Sequence, residues 1–490
     1  MDWAIPDWLS LPEWGRSKIR GGVHPDDRKS ITADKPIFSD MPLARRLYLP
    51  LQQHIGQPAR PVVQTGDRVL KGQLIAKGKP GTLSAALHAP TSGVIVDIAL
   101  HPAPHASGLP TPTLILEPDG EDCWLVTEGC DDPFSLAPEE IAARVEAAGI
   151  VGLGGAAFPA AVKLNLGQKS RIHTLIINGG ECEPYLTCDD RLMRERAEGI
   201  LEGTAIMRHG LGASAAIIAI EDNKPEAYAA MSEVAARYQR IDVVQVPSLY
   251  PMGWEKNLVT QLTGQEIPAG GLVTDVGVLM HNVATAYAVC LAIRQGRPLI
   301  SRVVTVSGGA LAEPRNLEVP IGTLLSGLLA YCGHQPEQAV RYVMGGPMMG
   351  DPLPNIDVPV VKKTNGILAL TAAEVRATDA RPCIRCGRCV GACPVGLLPL
   401  EMMTRIRAGQ LDAALGFGLK DCISCSACSY SCPSNIPLVH YFKYANGELA
   451  ARQQARQKTE YTKSLIEEKQ QRLERAKQRR SQPKPTTEVS

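Results

Sequence analysis

The chain has 490 residues, 44% of them hydrophobic, which is enough for several domains with buried cores. Its 51 Lys and Arg residues balance 50 Asp and Glu residues, so no net charge attracts nucleic acid and we expect no nucleic-acid partner. The longest apolar candidate, residues 276–293, is interrupted by His281 and Asn282, which excludes an unbroken membrane-spanning segment of about 20 residues.

The cysteines are unevenly distributed along the chain. Eight fall in two short runs, and the other six have no framework spacing: Cys123, Cys130, Cys182, Cys188, Cys290 and Cys332. No signal peptide or twin-arginine leader is recognisable at the start of the sequence. We therefore expect a reducing cytoplasm, in which disulfides are rare.

Residues 1–42 are predicted to be an N-terminal docking segment. Trp3, Trp8 and Trp14 are three of the five tryptophans in the chain. Because indole combines an apolar body with a polar tip, such a segment suits a lipid interface or a groove on a partner. Packing of the same side chains on their own protein is an equally good interpretation.

Residues 43–120 carry short β-type runs separated by turn residues, which predicts a small all-β domain. Gly-Asp-x-Val-x-x-Gly-x-x-Ile at 66–75, followed by Ala-Pro-Thr-Ser-Gly at 89–93, resembles the barrel-sandwich (lipoyl-like) domains that carry lipoate or biotin. A carrier needs a lysine at the hairpin tip. Lys77 and Lys79 lie near it, but in the sequence Gly-Lys-Pro-Gly, so a structural module is favoured over a carrier.

Residues 135–297 are predicted to form an α/β domain. Residues 139–148 have helical periodicity, whereas 175–178, 215–220 and 243–246 are short continuous apolar runs typical of buried parallel strands. Alternation of such strands with helices indicates a sheet covered on both faces.

A glycine-rich loop follows the first predicted helix of this domain. Gly152, Gly154 and Gly155 precede Lys163, so backbone amides can approach a phosphate closely while the lysine adds positive charge. The spacing matches neither the dinucleotide-binding nor the Walker pattern, and an ordinary glycine turn is the alternative.

An acidic loop follows the strand at 175–178. Ligands of open α/β sheets bind at the carboxyl ends of strands, so Asn178, Glu181 and Glu183 are placed to hydrogen-bond a ribityl chain, an isoalloxazine edge or a ribose. A solvated acidic loop without a ligand is the alternative.

Two copies of Cys-x2-Cys-x2-Cys-x3-Cys-Pro lie at 383–394 and 422–433. This spacing is typical of paired [4Fe–4S] clusters, in which the fourth cysteine of each run ligates the other cluster. The prediction is one cluster on Cys383, Cys386, Cys389 and Cys432, and a second on Cys422, Cys425, Cys428 and Cys393. Structural zinc is the alternative, but zinc motifs rarely place a third ligand at the same step.

Residues 446–490 are predicted to be a charged helical or disordered tail. From residue 451 onwards there are 11 Lys and Arg residues against 5 Asp and Glu residues, with few apolar side chains. A solvated helix that frays is favoured because the segment cannot bury a core, and attraction to anionic lipid is the functional alternative.

Five segments, in order, resemble the flavin- and NADH-binding subunit of respiratory complex I. They are Gly-Leu-Gly-Gly-x-x-Phe-Pro at 152–159, Asn-Gly-x-Glu-Cys-Glu-Pro-Tyr at 178–185, residues 219–227, Tyr-Pro-Met-Gly-Trp-Glu-Lys at 250–256, and His-Asn-Val-Ala-Thr at 281–285. With the lipoyl-like front and the ferredoxin-like back, residues 20–445 resemble the C subunits of Rnf (Rsx) ion-translocating electron transport complexes.

The resemblance implies a multidomain α/β fold. It comprises the barrel-sandwich domain, a complex I flavin-subunit-like FMN/NADH-binding domain at 135–297, a β-grasp (SLBB-like) module at 298–355 and a helical, two-cluster ferredoxin domain at 370–445. It implies FMN as cofactor and NAD(H) as substrate, bound by Gly152, Gly154, Gly155, Phe158, Lys163, Asn178, Glu181, Glu183, Asn282 and Thr285. Phe158 is the candidate for stacking on the nicotinamide nucleotide, and no catalytic acid or nucleophile is required because the cofactors carry the chemistry.

The resemblance also implies a role in a translocase. We expect an oxidoreductase subunit that exchanges hydride with NAD(H) and passes single electrons to or from ferredoxin or flavodoxin, while other subunits move Na⁺ or H⁺. The expected partners are integral-membrane and ferredoxin-like subunits, and the expected location is the cytoplasmic side of the inner membrane, as a peripheral protein. Trp254 stands where the family pattern has a small residue, so a cluster-bearing docking subunit with a degenerate nucleotide site is the alternative.

Overall fold

The computed structural model describes residues 19–79, 81–375 and 379–481. The N-terminal tryptophans at 3, 8 and 14 and the end of the tail therefore lie outside the described residues. Among the residues that are described, no helix combines the length and the hydropathy needed to cross a membrane.

The front of the chain forms two small antiparallel sheets, preceded by a strand, β1 (Ile37–Phe38), that joins a later sheet. The strands of the two small sheets are β2 (Leu47–Pro50), β3 (Arg60–Pro61), β4 (Arg68–Val69), β5 (Leu74–Lys77), β6 (Leu87–His88), β7 (Gly93–Pro102) and β8 (Pro110–Pro118). One sheet has the order β2-β8-β7-β4 and the other β3-β5-β6. Leu47, Ile75 and Leu114 are fully buried, because alternate residues of each strand point to the same face. The prediction of a barrel-sandwich is confirmed.

The central domain is a parallel sheet flanked by helices. Its elements are α1 (Pro138–Ala147), α2 (Ala160–Lys169), β9 (Thr174–Gly179), α3 (Cys188–Glu195), α4 (Ala197–Leu211), β10 (Ala215–Glu221), α5 (Pro225–Ala235), β11 (Ile241–Val246), α6 (Glu255–Thr263), β12 (Val278–Asn282) and α7 (Val283–Gln295). The three strands and the first helix predicted from the sequence are confirmed. The strand order is β11-β10-β9-β12, and all pairs are parallel.

A six-stranded mixed sheet follows. Its elements are β13 (Ser301–Ser307), β14 (Arg315–Pro320), α8 (Leu325–Tyr331), β15 (Ala339–Met344), β16 (Asp351–Leu353) and β17 (Gly366–Thr371). The order is β1-β14-β13-β17-β15-β16, so the sheet takes β1 and β17 from outside the range 298–355. The strand β1, close to the start of the described chain, thereby ties the front of the molecule to this module.

The last domain is helical: α9 (Arg388–Gly391), α10 (Pro399–Arg407), α11 (Leu411–Gly416), α12 (Ala427–Tyr430) and α13 (Leu438–Ser481). The segment between the two cysteine runs contains two helices, α10 and α11, separated where Gly409 takes a positive φ of 72°. Met402, Leu419 and Phe442 form its core. The tail is a continuous, exposed extension of α13 up to the last described residues.

Candidate functional site

The carboxyl edge of the parallel sheet has a switch point between β9 and β12. The chain proceeds from β9 to β10 and β11 on one side, and β12 then pairs on the other side of β9. Loops diverge at such a point and leave a crevice in which ligands of α/β sheets bind. Asn178 and Asn282 are register partners at the ends of these two strands, so both polar side chains lie at the crevice.

The glycine loop closes over this edge. Gly152 N donates to Phe158 O at 2.7 Å, which ties the two ends of the loop together, and Gly155 has a φ of 107°. A Cβ on Gly154 would lie 3.3 Å from the Cβ of Asn282. Gly154 and Gly155 are exposed, whereas Phe158 is half-buried. The loop backbone therefore approaches the β12 end closely, as only glycine permits.

Hydrogen bonds from other elements fix the base of the loop. Leu153 N donates to Thr285 Oγ1 at 3.0 Å, and the buried Arg302 guanidinium donates to Leu153 O at 3.1 Å. Within the part of the chain that the structure describes, the amides of Gly154 and Gly155 have no hydrogen-bond acceptor. Exposed amides without acceptors suit an anionic group such as a phosphate.

Lys163 lies beside the same edge. From α2 its ammonium donates to Glu255 Oε1 at 2.8 Å and to Met280 O at 3.0 Å, two residues before the end of β12. Burial, and then the charge of Lys163, lower the pKa of His281 well below its usual value, so this imidazole is neutral. Lys163 therefore lies near the end of β12, where it forms an ion pair with Glu255.

The two asparagines at the strand ends are held by hydrogen bonds. Asn178 Nδ2 donates to Gly253 O at 2.8 Å, and Asn178 Oδ1 accepts from Gly180 N at 2.8 Å. Asn282 Oδ1 caps α7 by accepting from Ala284 N, while Asn282 Nδ2 donates to Asp189 Oδ2 at 2.6 Å. Both amides thus connect the crevice to the loops around it.

The carboxylate of Glu181 points to the start of α3. Its Oε1 accepts from Asp189 N at 2.8 Å and its Oε2 from Asp190 N at 3.1 Å, so it satisfies helix amides that have no intrahelical partner. Burial, and then the charge of Glu181, raise the pKa of Asp189 to about 7. The structure therefore gives Glu181 a capping contact that the sequence did not suggest.

Glu183 also turns away from the glycine loop, towards the mixed sheet. Its carboxylate accepts from Met348 N at 3.0 Å and Met349 N at 2.8 Å, in the glycine-rich turn between β15 and β16. Burial raises the pKa of Glu183 to about 7, although these two amides oppose the shift. Glu183 therefore joins the acidic loop to the mixed sheet.

Two buried lysines hold the backbone of the acidic loop. Lys29 Nζ donates to Glu181 O, Glu183 O and Leu186 O at 2.8, 2.9 and 2.5 Å. Lys224 Nζ donates to Gly180 O at 2.6 Å. An ammonium with several carbonyl acceptors stabilises a loop whose backbone includes positive φ values at Glu181 and Tyr185.

Trp254 lies in a loop next to the acidic loop of the crevice. It is half-buried and immediately precedes α6. Gly253 precedes Trp254, and a Cβ on Gly180 would lie 3.5 Å from the Cα of Gly253. The loop carrying Trp254 therefore approaches the acidic loop closely.

The eight cysteines of the last domain line two separate cavities. Cys383, Cys386, Cys389 and Cys432 surround one, which we call the outer cavity. Cys393, Cys422, Cys425 and Cys428 surround the other, which we call the inner cavity. Each cavity thus collects three thiols from one run and the last thiol of the other run, which is the donor set that a [4Fe–4S] cluster needs.

The two cavities differ in their surroundings. Cys425 and Cys428 of the inner cavity are buried, whereas Cys383 and Cys386 of the outer cavity are exposed. Burial raises the pKa of Cys425 to about 11 and that of Cys428 to about 12. Iron is bound by thiolates, and a raised pKa makes loss of the thiol proton less favourable. Positive charge in the inner cavity is therefore needed to offset the free energy of this deprotonation.

The inner cavity adjoins the central domain. Tyr250 Oη donates to Cys425 O at 2.8 Å and lies 3.4 Å from Glu183 Oε1. Gly22 N donates to Ala392 O at 3.0 Å, which fixes the chain next to Cys393. A single tyrosine therefore connects the acidic loop of the crevice with a cysteine of the inner cavity.

Sequence reasoning missed several supporting residues. Tyr250, Lys224 and Glu255 stand in segments that carried the family resemblance, which was the available signal for them. Lys29 and Arg302 lie outside those segments and have no local signal, because the loop carbonyls that they bond in the crevice are more than 140 residues away.

Comparison with known families and proteins was consistent along the chain. Family models match at residues 17–121 (RnfC barrel sandwich hybrid domain), 145–291 (Nuo51 FMN-binding domain), 303–352 (SLBB domain) and 382–436 (4Fe-4S dicluster domain). These matches cover all four of the folded parts described above.

Curated relatives match over most of the chain. The C subunit of the ion-translocating oxidoreductase complex of Rhodobacter capsulatus is 54% identical over 440 residues, covering 89% of this chain and 84% of the relative. Proteins of the same name from Pseudomonas aeruginosa and Erwinia tasmaniensis are 46% and 45% identical over 94% of this chain, which spans 59% and 57% of their lengths.

Among solved structures, a chain of an NAD⁺-reducing [NiFe]-hydrogenase in the H2-reduced state is 17% identical, with a TM-score of 0.46. The match covers 87% of this chain and 86% of the hydrogenase chain.

Proposed function

Because the chain belongs to the C-subunit family of ion-translocating oxidoreductase complexes, we propose that it exchanges hydride with NAD(H) at the β9–β12 crevice and delivers single electrons at the outer cavity. It is an electron-transfer subunit with FMN and two [4Fe–4S] clusters as cofactors. Bound FMN supplies the conversion between a two-electron hydride and single electrons.

The proposed FMN site uses the glycine loop for the phosphate and the crevice for the rest of the flavin. The free amides of Gly154 and Gly155 and the charge of Lys163 suit the phosphate. Asn178 and Asn282 offer polar groups at the strand ends, and Thr285 orients the loop through Leu153. Glu181 and Glu183 act through the backbone shape of the acidic loop.

Phe158 keeps its proposed role beside the nicotinamide nucleotide. It is half-buried at the end of the glycine loop. Aromatic rings stack favourably on flat heterocycles in such positions.

The hydrogen bond from Tyr250 to Cys425 O is the observation that carries the proposed electron path. It supports an order in which the flavin site is followed by the inner cavity and then by the outer cavity. The exposed thiols of the outer cavity then form the exit towards partners.

As a member of such a complex, the chain has other subunits as partners. We further propose that these include integral-membrane and ferredoxin-like subunits, that ferredoxin or flavodoxin exchanges electrons with the complex, and that the chain sits on the cytoplasmic side of the inner membrane. Translocation of Na⁺ or H⁺ is then the task of the other subunits.

The test is addition of NADH to the purified complex under anaerobic conditions. Bleaching of the flavin absorbance near its visible maximum, followed by reduction of the iron–sulfur signals in electron paramagnetic resonance, is expected. A complex that contains flavin and iron but shows no bleaching would contradict hydride exchange at this site.

A cluster-bearing docking subunit with a degenerate nucleotide site remains the second candidate. The half-buried Trp254 favours it, because it follows Gly253, whose backbone approaches the acidic loop at the crevice. If this candidate is correct, Trp254→Gly creates NADH binding that the natural chain lacks. Unchanged binding, measured by equilibrium titration, would remove it.

A further inference from the structure

The two cluster loops are internal repeats whose backbones match. Positions separated by 39 residues correspond, since Cys383 aligns with Cys422. Arg385 and Ser424 have φ values of 53° and 56°, and Gly387 and Ser426 have 76° and 64°. A shared left-handed conformation at both pairs means that differences between the loops lie in their side chains.

The inner loop is packed against the central domain. Ile423 contacts the group formed by Tyr250, Cys425 and Ala427, and Cys425 and Ala427 are buried. Ser424 is half-buried at the same contact. Small, uncharged side chains and one isoleucine therefore make up the loop surface that meets another part of the chain.

The outer loop presents the equivalent surface to solvent with different side chains. Ile384, the equivalent of Ile423, is 69% exposed. Arg385 and Arg388 replace Ser424 and Ala427, and both are exposed.

These arginines carry charge that the domain does not neutralise. Arg381 is exposed beside the same loop. Within the described ranges, no carboxylate lies within ion-pair distance of Arg381, Arg385 or Arg388. The segment 380–396 contains no Asp or Glu. The surface consisting of Arg381, Ile384, Arg385 and Arg388, which we call the arginine rim, thus combines one exposed apolar side chain with three exposed arginines within eight residues of the chain.

We propose that the arginine rim is the docking surface for an acidic electron-carrier domain, whose carboxylates pair with the three arginines around Ile384. By the internal repeat, Ile384 packs on that partner as Ile423 packs on the central domain. Docking there places the carrier against the exposed Cys383 and Cys386.

The size and charge of the rim indicate a transient partner. Permanent interfaces are large and more hydrophobic, whereas electron-transfer encounters are small and guided by complementary charge. One exposed isoleucine among three arginines fits the second kind. The inference rests on the proposed two-cluster function, because it assumes that electrons leave at the outer cavity.

The experiment measures binding of a fluorescently labelled small acidic ferredoxin, used as the probe, to the full-length cluster-loaded chain. For Arg385→Glu/Arg388→Glu we expect the Kd to rise about tenfold or more at about 0.1 M salt. The difference should shrink at about 1 M salt, where charges are screened within about 3 Å. Ile384→Ser should weaken binding at both salt concentrations, because apolar contact is not screened.

The matched control is Arg407→Glu/Lys443→Glu, which makes the same charge change at exposed positions of α10 and α13, outside both cluster loops. Iron content and the electron paramagnetic resonance spectrum establish that each variant retains its clusters. Equal loss of affinity in control and rim variants, or salt-independent binding, would overturn the proposal.

A further arm uses vesicles of phosphatidylglycerol and phosphatidylcholine. Vesicle binding that depends on the rim, without ferredoxin binding, would assign the surface to a membrane and overturn the proposal as well. These binding readouts do not depend on NADH oxidation. Failure of the proposed hydride exchange therefore remains distinguishable from failure of the docking surface.

Discussion

The cluster domain and the flavin crevice bring their cofactor-binding groups together in opposite ways. The cluster domain takes eight thiols from a stretch of 50 residues, and each loop has its own repeated backbone conformation. The crevice collects groups from residues 152 to 285 and depends on supports as distant as Lys29 and Arg302. Local ligand sets are encoded by spacing, whereas the crevice exists only when several domains are packed together.

The largest effects are expected from replacing cluster cysteines. Cys383→Ser and Cys432→Ser should remove the same cluster, whereas Cys425→Ser and Cys393→Ser should remove the other, because each cavity combines both runs. Iron content should fall from about eight to about four per chain in each case. Electron paramagnetic resonance identifies which signal disappears.

This series also tests the independence of the two regions. Cys383→Ser should retain a full complement of FMN, since the inner cavity, and not the outer one, is connected to the crevice through Tyr250. Loss of flavin in that variant would show that the cluster domain and the flavin crevice are not independent. Loss of one signal by Cys383→Ser and the other by Cys432→Ser would refute the crossed assignment.

Lys29→Met probes the long-range supports of the crevice. It leaves three carbonyls, one buried and two partly buried, without this donor, and each unsatisfied group costs about 1–3 kcal/mol, so the free energy of unfolding should fall by about 3 kcal/mol. Denaturant unfolding and FMN titration measure the two consequences.

Lys35→Met is the matched control, because its half-buried side chain has Pro314 O as its one hydrogen-bond acceptor among the described residues. A loss no greater than that of the control would show that the acidic loop does not depend on Lys29.

The pH dependence of stability tests the tie made by Glu183. Its pKa is raised to about 7 by burial, so the folded chain binds the proton more tightly than the unfolded chain. Protonation of Glu183 therefore adds to the free energy of unfolding. This contribution is fully present below about pH 4.5 and is lost as the pH rises through about 7.

Across that interval the free energy of unfolding of the natural chain should fall, relative to that of Glu183→Gln, by no more than about 3 kcal/mol. Unfolding curves at several pH values measure the difference. Parallel pH dependence in the two proteins would mean that this carboxyl is ionised in the folded state throughout.

The smallest effect is expected at the glycine loop. Thr285→Val removes the acceptor for Leu153 N and should weaken FMN binding about tenfold, with iron content unchanged. Flavin fluorescence titration of the apoprotein measures the Kd. Thr204→Val, which removes a buried hydroxyl that donates to Ile200 O within α4, is the control and should leave the Kd unaltered.

How much the sequence predicted of each region depends on whether the interacting residues are close together in the chain. The strands at 175–178 and 215–220 were recognisable because continuous apolar runs are buried on both faces of a parallel sheet, whereas the strand at 243–246 lies at the sheet edge and is only partly buried. The direction of the Glu181 and Glu183 side chains was not recognisable, because it depends on the start of α3 and on the turn between β15 and β16.

The membership of the mixed sheet shows the same limit. β1 has only two residues, and its pairing with β14 joins positions that are almost 280 residues apart. No periodicity in so short a segment predicts its partner, since pairing is decided by the packing of the whole module.

By itself the sequence determined the chemistry: cysteine spacing specifies two iron–sulfur clusters, and the ordered segments of the central domain specify a flavin site. Only the tertiary structure decided which cavity lies against the crevice and which faces solvent. The reason is physical, because thiols a few residues apart share one loop whatever surrounds them, whereas Tyr250 and Cys425 meet only after two domains have packed together.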